Sequence, residues 1–319
     1  MKRILTILAA TLIAAGASAQ SAWPTKPIRM IVPFTAGSVT DIIGRTVAES
    51  MSKGLGQTIV IENKPGAGGT IGAAQVAKSD PDGYTVLVHS SGHALNPAIY
   101  PNLSYDTIKD LTGVTPLAAV PNVLVVSPTR GWHSVADLIA AAKAKPGSMN
   151  YASAGTGSAT HMNAEKFKLR AGIEAQHVPF KGTPEAMTDV IGGRDDWFFA
   201  PMSPALPLIR DGKLQALAVS SAQRSPALPN VPTTIEAGVP DSDYTLWVGM
   251  IVPTATPAPI VKRLHDEAVK ALNSPEVKAR LTMLGADAFT MEPAAFNAYI
   301  KTEVESAAQI AKTANLKAN

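Results

Sequence analysis

Residues 34–41 read Phe34-Thr35-Ala36-Gly37-Ser38-Val39-Thr40-Asp41, and residues 154–161 read Ala154-Gly155-Thr156-Gly157-Ser158-Ala159-Thr160-His161. The first octet ends an apolar run from Ile28 to Phe34 and the second follows Asn150 to Ser153; each then opens a helical pattern. A strand, a small-residue turn and a helix form the building unit of an α/β fold. Small residues let the backbone approach a ligand, and the free N–H groups and hydroxyls at a helix start offer donors to an anion. Two such turns predict two jaws gripping one small carboxylate, which is binding chemistry rather than turnover.

Working outward, strand-length apolar runs alternate with helical patterns along most of the chain. After Asp41 the four-residue steps Ile43, Val47 and Met51 predict a helix that stops at Gly54 and Gly56. Thr58 to Glu62 and Thr85 to His89 read as strands, with a glycine-rich turn and a helical stretch from Gly72 to Lys78 between them. A second series starts near Pro121. Val123 to Ser127 is a strand, Ser134 to Asp137 caps a helix reaching about Lys145, and Ala164, Phe167 and Ala171 mark one face of the helix after the second turn. Ala175 to Phe180, Trp197 to Ala200 and Leu214 to Val219 are further strands, with Thr183-Pro184 starting the intervening helix. Tyr244 to Val252 leads out of this series into a helical tail carrying Val261, Leu264, Ala268 and Leu272, then Glu292 to about Thr313. A helical tail needs a sheet to pack on, and returning to the first lobe gives two chain crossings and a hinge. The expected division is residues 20–122 with 248–319 in one lobe and 123–247 in the other.

Residues 1–19 have the form of a secretory signal: Lys2 and Arg3, an apolar run from Ile4 to Ala15, and the small-residue box Ala17-Ser18-Ala19. Cleavage near Gln20 and export to the periplasm follow, the apolar run being short for a membrane span. Loss of Lys2 and Arg3 would take the formal charge from +3 to +1, which leaves no field to attract nucleic acid or an anionic membrane. Cysteine is absent, so thiolate metal sites and disulfides are excluded.

Several motifs resolve into ordinary structure. Gly66-Ala67-Gly68-Gly69-Thr70-Ile71-Gly72 has Ile71 where a dinucleotide fingerprint needs glycine, and it reads as a packing turn. His89 and His93 are four apart, but at the end of a strand, so no metal site is implied. Ser38 and Ser158 lie outside Gly-x-Ser-x-Gly, and capping competes with ligand contact at both. Asp41 is expected to fix the first turn with Arg45 as its partner, and His161 to hydrogen-bond nearby backbone rather than act as a base. No catalytic residues, cofactor or metal are expected. An exported hydrolase using Ser158 with His161 is the rival that a turnover assay separates; a ligand sensor is the rival that an uptake assay separates.

The chain resembles the Bug family, the extracytoplasmic receptors of tripartite tricarboxylate transporters. The resemblance runs through Phe34 to Asp41, Glu62 to Gly69, Asp82-Gly83-Tyr84-Thr85, Gly155-Thr156-Gly157-Ser158 with His161, His177 to Gly182, Gly212-Lys213-Leu214, Leu228 to Thr233 and Glu236-Ala237-Gly238. It implies a type II periplasmic-binding-protein fold whose two α/β lobes close over an organic acid and deliver it to a membrane permease, as a monomer. It also implies that one carboxylate is held, often through ordered waters, by Thr35, Gly37, Ser38, Val39 and Thr40 in one jaw and Gly155, Thr156, Ser158 and Ala159 in the other, with His89 and Ser90 along the wall.

Two departures bear on the ligand. Thr35-Ala36-Gly37 stands where relatives often have Pro-Gly-Gly, and Ala200 stands where many have an aspartate able to answer an ammonium. Trp197, Phe198, Phe199, Ala200 and Met202 make this strand end apolar, and alternation is expected to turn some of them toward the cleft, with Phe199 and Ala200 as ligand-binding candidates; this predicts a dicarboxylate without an amino group, an aromatic one such as terephthalate ahead of a citrate-like acid.

Overall fold

The computed structural model describes residues 23–313; the expected signal sequence and its cleavage point lie outside them. Two sets of parallel strands are built on one plan. In the first, β1 (Ile28–Val32) pairs in parallel with β2 (Ile59–Asn63) and β3 (Thr85–Ser90). The helices between them are α1 (Val39–Leu55) and α2 (Thr70–Ala77), and α3 (Gly92–Ile99) follows β3. Next in the chain come β4 (Leu111–Val126) and α4 (Val135–Ala144). In the second set β5 (Asn150–Ser153) pairs in parallel with β6 (Gln176–Pro179) and β7 (Trp197–Pro201). Here α5 (Ala159–Ala171) and α6 (Thr183–Ile191) make the crossovers, and α7 (Met202–Arg210) leads to β8 (Gln215–Val219).

The sets are joined by two long antiparallel strands. β4 pairs with β9 (Thr245–Pro253) from Leu111 to Pro121, and from Asn122 onward it pairs with β7 and β8 instead. β9 lies between β3 and β4. The sheet therefore changes hands at Pro121/Asn122 on one strand and just before Thr245 on the other. Ser220 ties these points together: its N–H donates to Asn122 O, its Oγ accepts from Asn122 N–H, and its carbonyl accepts from Tyr244 N–H. The apolar run that reads as a short strand at Val123–Ser127 is thus only the end of a sixteen-residue one. Its first part carries Gly113 and Pro116, which break the strand pattern in sequence.

The tail packs on the first half. α8 (Ala258–Asn273) buries Leu264, Ala268, Ala271 and Leu272 against the core that contains Ile43, Val47 and Met51 of α1. α9 (Pro275–Met283) adds Val277 and Leu281, and the two-residue β10 (Asp287–Ala288) pairs with β4. α10 (Pro293–Thr313) is pinned by Asn297, whose Oδ1 accepts from Gly113 N–H at 2.8 Å and whose Nδ2 donates to Gly113 O at 3.1 Å.

Capping at two helices sets the position of the cleft elements. α4 has the capping box read from Ser134 and Asp137. At α6 the cap is Gly182, with Thr183 already inside the helix and Pro184 next, so the helix starts one residue earlier than a Thr183 cap with Pro184 first would give. Alternation along β7 splits its side chains between two cores. Phe198 and Ala200 face the cluster that holds Ala186, Met187 and Leu206, whereas Trp197 and Phe199 face Leu138, Tyr151 and Phe167.

Candidate functional site

The two turns share the backbone of their last two residues and differ at the first, where Gly155 is left-handed at φ 120° and Thr35 is not. In each, the residue at the helix N-cap is an extended serine, Ser38 at φ −69° and Ser158 at φ −75°, preceded by a left-handed glycine, Gly37 at φ 82° and Gly157 at φ 76°. Ser38 N–H donates to Thr35 O at 3.1 Å, and Ser158 N–H donates to Gly155 O at 3.0 Å. Even the glycine N–H finds its acceptor at the same offset: Gly37 donates to Asp41 Oδ2 at 2.9 Å, and Gly157 to His161 Nδ1 at 3.2 Å.

Side chains then separate them. Asp41 is nearly buried and also takes Arg45 Nε at 3.0 Å and Asn63 Nδ2 at 3.0 Å. Burial raises its pKa, but the bonds from Arg45, Gly37 and Asn63 outweigh it and hold the carboxyl below the usual range. His161 is neutral instead: burial pushes it down to about 4, helped by Lys168. Because Nδ1 accepts from Gly157, the neutral ring carries its proton on Nε2. It stacks on His177 with centroids 4.0 Å apart, and His177 is pushed down to about 3 by burial, then by His161 and Lys168. Tyr151 continues the stack 5.0 Å from His177, and its hydroxyl donates to Glu165, which also binds Lys168 at 2.7 Å.

Hydroxyl use differs in the same way. Ser158 Oγ accepts from His161 N–H, and Thr160 Oγ1 accepts from Ala154 N–H at 2.9 Å, so both stabilise their own turn. Ser38 makes no side-chain cap, and Thr40 Oγ1, the counterpart of Thr160, is fully buried with no partner among the described residues.

The turns meet around one cavity, lined by Ser38, Val39 and Thr40 from the start of α1, Ser158, Ala159 and Thr160 from α5, Thr183 from α6, and Ser90 from β3. Phe34, Ala154, Pro201 and Leu246 complete it with apolar surface. The space totals about 270 Å³ counting what opens to solvent, of which the centre of a water molecule can occupy only about 20 Å³. The jaws are shut. Thr35 Oγ1 donates to Glu185 Oε2 at 3.0 Å, Thr183 N–H lies 3.4 Å from Ser38 Oγ, and Tyr100 OH donates to Thr156 O at 2.8 Å. Outside them a wider groove runs past Gly68, Tyr100, Gly155, Thr156, Lys181 and Glu185.

Of the residues picked out by sequence, Ser38, Val39, Thr40, Ser90, Ser158 and Ala159 line the cavity. Gly155 and Thr156 sit in the outer groove, Thr35 spans the jaws, and Gly37 spends its N–H on Asp41. Three others, His89, Phe199 and Ala200, lie in the core, away from both the cavity and the outer groove. His89 is fully buried under the 67–69 turn, with Nδ1 accepting from Ser90 N–H at 2.8 Å and its ring against Phe34 and His93. Phe199 and Ala200 are fully buried on opposite faces of β7, and the next residue, Pro201, is the one at the cavity. Thr160 and Thr183 were missed. Thr160 was legible as the residue matching Thr40, and Thr183 as a hydroxyl at a helix start. Ser158 and His161 do not form a nucleophile–base pair: Ser158 Oγ takes the backbone N–H of His161, while the imidazole Nδ1 is occupied by Gly157.

Residues 43–316 match TctC, the tripartite tricarboxylate transporter family receptor. Among solved structures, the chain is similar to periplasmic binding protein BugD, 34% identical with a TM-score of 0.89 over 93% of this chain and 100% of that one. Rpa4515 of R. palustris, solved with adipate, is 35% identical with a TM-score of 0.90, covering 93% and 100%. MatC from Rhodopseudomonas palustris, solved with bound malate, is 32% identical with a TM-score of 0.86, covering 90% and 99%.

Proposed function

The chain belongs to the tripartite tricarboxylate transporter receptor family, and from that premise we propose that it binds a short aliphatic dicarboxylate between its two jaws by hinge closure. The family is one of periplasmic solute receptors rather than enzymes, working with a membrane permease, and it carries the fold and the broad role of this protein. The ligand, the site and the moving bodies are our own reading.

One observation carries it: the buried, unpartnered Thr40 Oγ1 lies in a cavity where the N-termini of α1 and α5 converge. A buried hydroxyl without a partner is costly, and an oxyanion there would accept from it and from the helix N–H groups together. No aspartate or glutamate lines the cavity, so an ammonium has nothing to pair with. The preference for an aromatic acid such as terephthalate rested on Phe199 and Ala200, which are packed in the core. Adipate in Rpa4515 and malate in MatC are both aliphatic dicarboxylates, which supports that class here. The bodies that move are residues 20–122 with 248–319 against 123–247, turning about Pro121/Asn122 and the start of β9. The proposed protein is a periplasmic monomer, delivered after loss of residues 1–19, that hands its ligand to a cognate permease.

Calorimetry on the purified protein tests the ligand class, using succinate, adipate, terephthalate, citrate, aspartate and glutamate. Binding of an aliphatic dicarboxylate, with the acid recovered unchanged after prolonged incubation, is the expected result. Binding of aspartate or glutamate without response to the dicarboxylates would overturn it.

A further inference from the structure

Thr183 is 2% exposed, lines the cavity, and its Oγ1 has no partner among the described residues. Of the hydroxyls around the cavity it shares that condition with Thr40 alone. Its position is fixed by a close approach of backbone. A Cβ at Gly182 would stand 1.9 Å from Thr35 Oγ1 and 2.7 Å from Ser38 Oγ, so only glycine lets the start of α6 press onto the first turn. Thr183 N–H is thereby turned to Ser38, Pro184 has no N–H, and Glu185 places an acid in the first helical turn. The start of α6 consequently contributes no anion-binding dipole to the cavity. What it contributes is one neutral hydroxyl, able to donate and to accept.

A carboxylate offers about four lone-pair sites. The N–H groups of Val39 and Thr40 on α1 and of Ala159 and Thr160 on α5 have no acceptor within their helices, and Thr40 Oγ1 adds a further donor. Those groups saturate a carboxylate without Thr183. The hydroxyl of Thr183 is left for a second, uncharged polar group, and the small cavity puts that group on the carbon beside the carboxylate. A hydroxyl suits it, because a partner that both donates and accepts meets Thr183 in either direction, whereas an ammonium would face two helix N-termini.

We infer that Thr183 reads a hydroxyl next to the bound carboxylate, so that the site favours a 2-hydroxydicarboxylate over its unsubstituted parent. This rests on the carboxylate reading above and sharpens it to a substrate class.

Succinate and the two enantiomers of malate have the same carbon chain and differ only at that hydroxyl. Calorimetry on the full protein should find one malate enantiomer bound at least about tenfold tighter than succinate. In Thr183→Val that preference should fall to about unity, the loss falling on malate rather than succinate; in Thr183→Ser it should persist, and the thermal midpoint of each variant reports whether it folds. Succinate binding with no malate preference, or a preference that survives Thr183→Val, overturns the assignment of Thr183 alone. No response to any of the three acids overturns this inference, and no response to adipate, terephthalate or citrate either overturns the carboxylate reading with it.

Discussion

The turn at residues 34–38 and the turn at 154–158 share a left-handed glycine, an extended serine at the N-cap and hydrogen-bond offsets, yet one closes on the carboxylate of Asp41 and the other on the neutral ring of His161. The first turn passes its tension outward, to Arg45 and Asn63, and leaves the Thr40 hydroxyl unused. The second spends Ser158 and Thr160 on itself and rests on an aromatic stack. One jaw thus adds a free side-chain hydroxyl to the N–H groups of its helix start, and the other offers its helix-start N–H groups beside an aromatic stack.

The division breaks most visibly in stability. Asp41→Ala strips the acceptor from Gly37, Arg45 and Asn63 together and should cost about 3 kcal/mol in urea unfolding. His161→Phe, which keeps a ring against His177, leaves one N–H without a partner and should cost clearly less. Equal losses would mean that the acid and the imidazole do the same work.

Affinity should separate the paired threonines next. Thr40→Val should weaken dicarboxylate binding by about 2 kcal/mol while the unfolding midpoint holds or rises, since the buried hydroxyl has no partner to lose. Thr160→Val should act the other way, lowering stability because Ala154 N–H loses its acceptor. Calorimetry and thermal melts on both variants decide; a stability loss in Thr40→Val sinks the contrast.

Acid sharpens it through protonation. His161 and His177 stay neutral in the folded protein down to about 4 and about 3, while the unfolded chain binds protons at about 6.5. The unfolded state therefore holds more protons, and each ring removes up to about 1.4 kcal/mol per pH unit as pH falls from about 6.5 to about 4. His89 and His93, also pushed down by burial, add to the slope from the first half. Asp41, with its pKa lowered, contributes stability above the unfolded carboxylate range and loses it only in stronger acid. Urea midpoints of wild type and His161→Gln between pH 7 and 5 should show the shallower slope in the variant. Parallel slopes would remove His161 from the account.

The smallest effect belongs to the caps. Ser158→Ala should cost about 1 kcal/mol of stability with little change in affinity, because its hydroxyl accepts from His161 N–H. Ser38→Ala, which removes no cap bond, should show up in binding rather than in melting.

The sequence by itself determined whatever repeats within a few residues. The strand–turn–helix units, the caps at Ser134 and Ser158, the Asp41–Arg45 pair and the apolar faces of α1 and α8 are local, because periodicity and capping act over one or two turns of chain. Tertiary structure decided which of those groups share a space. β4 could not be read as one strand because its first part gains its order from β9, paired more than a hundred residues away. Phe199 looked like a cleft wall because alternation assigns a residue to a face without saying which face is packed; Phe167, Tyr151 and Trp197 fill the side it occupies. His89 points beneath the 67–69 turn for the same reason. Thr183 entered the cavity through Gly182 pressing on Thr35 and Ser38, a contact between segments about 150 residues apart. Burial and partnership depend on packing between distant parts of the chain, and packing distance has no period in the sequence.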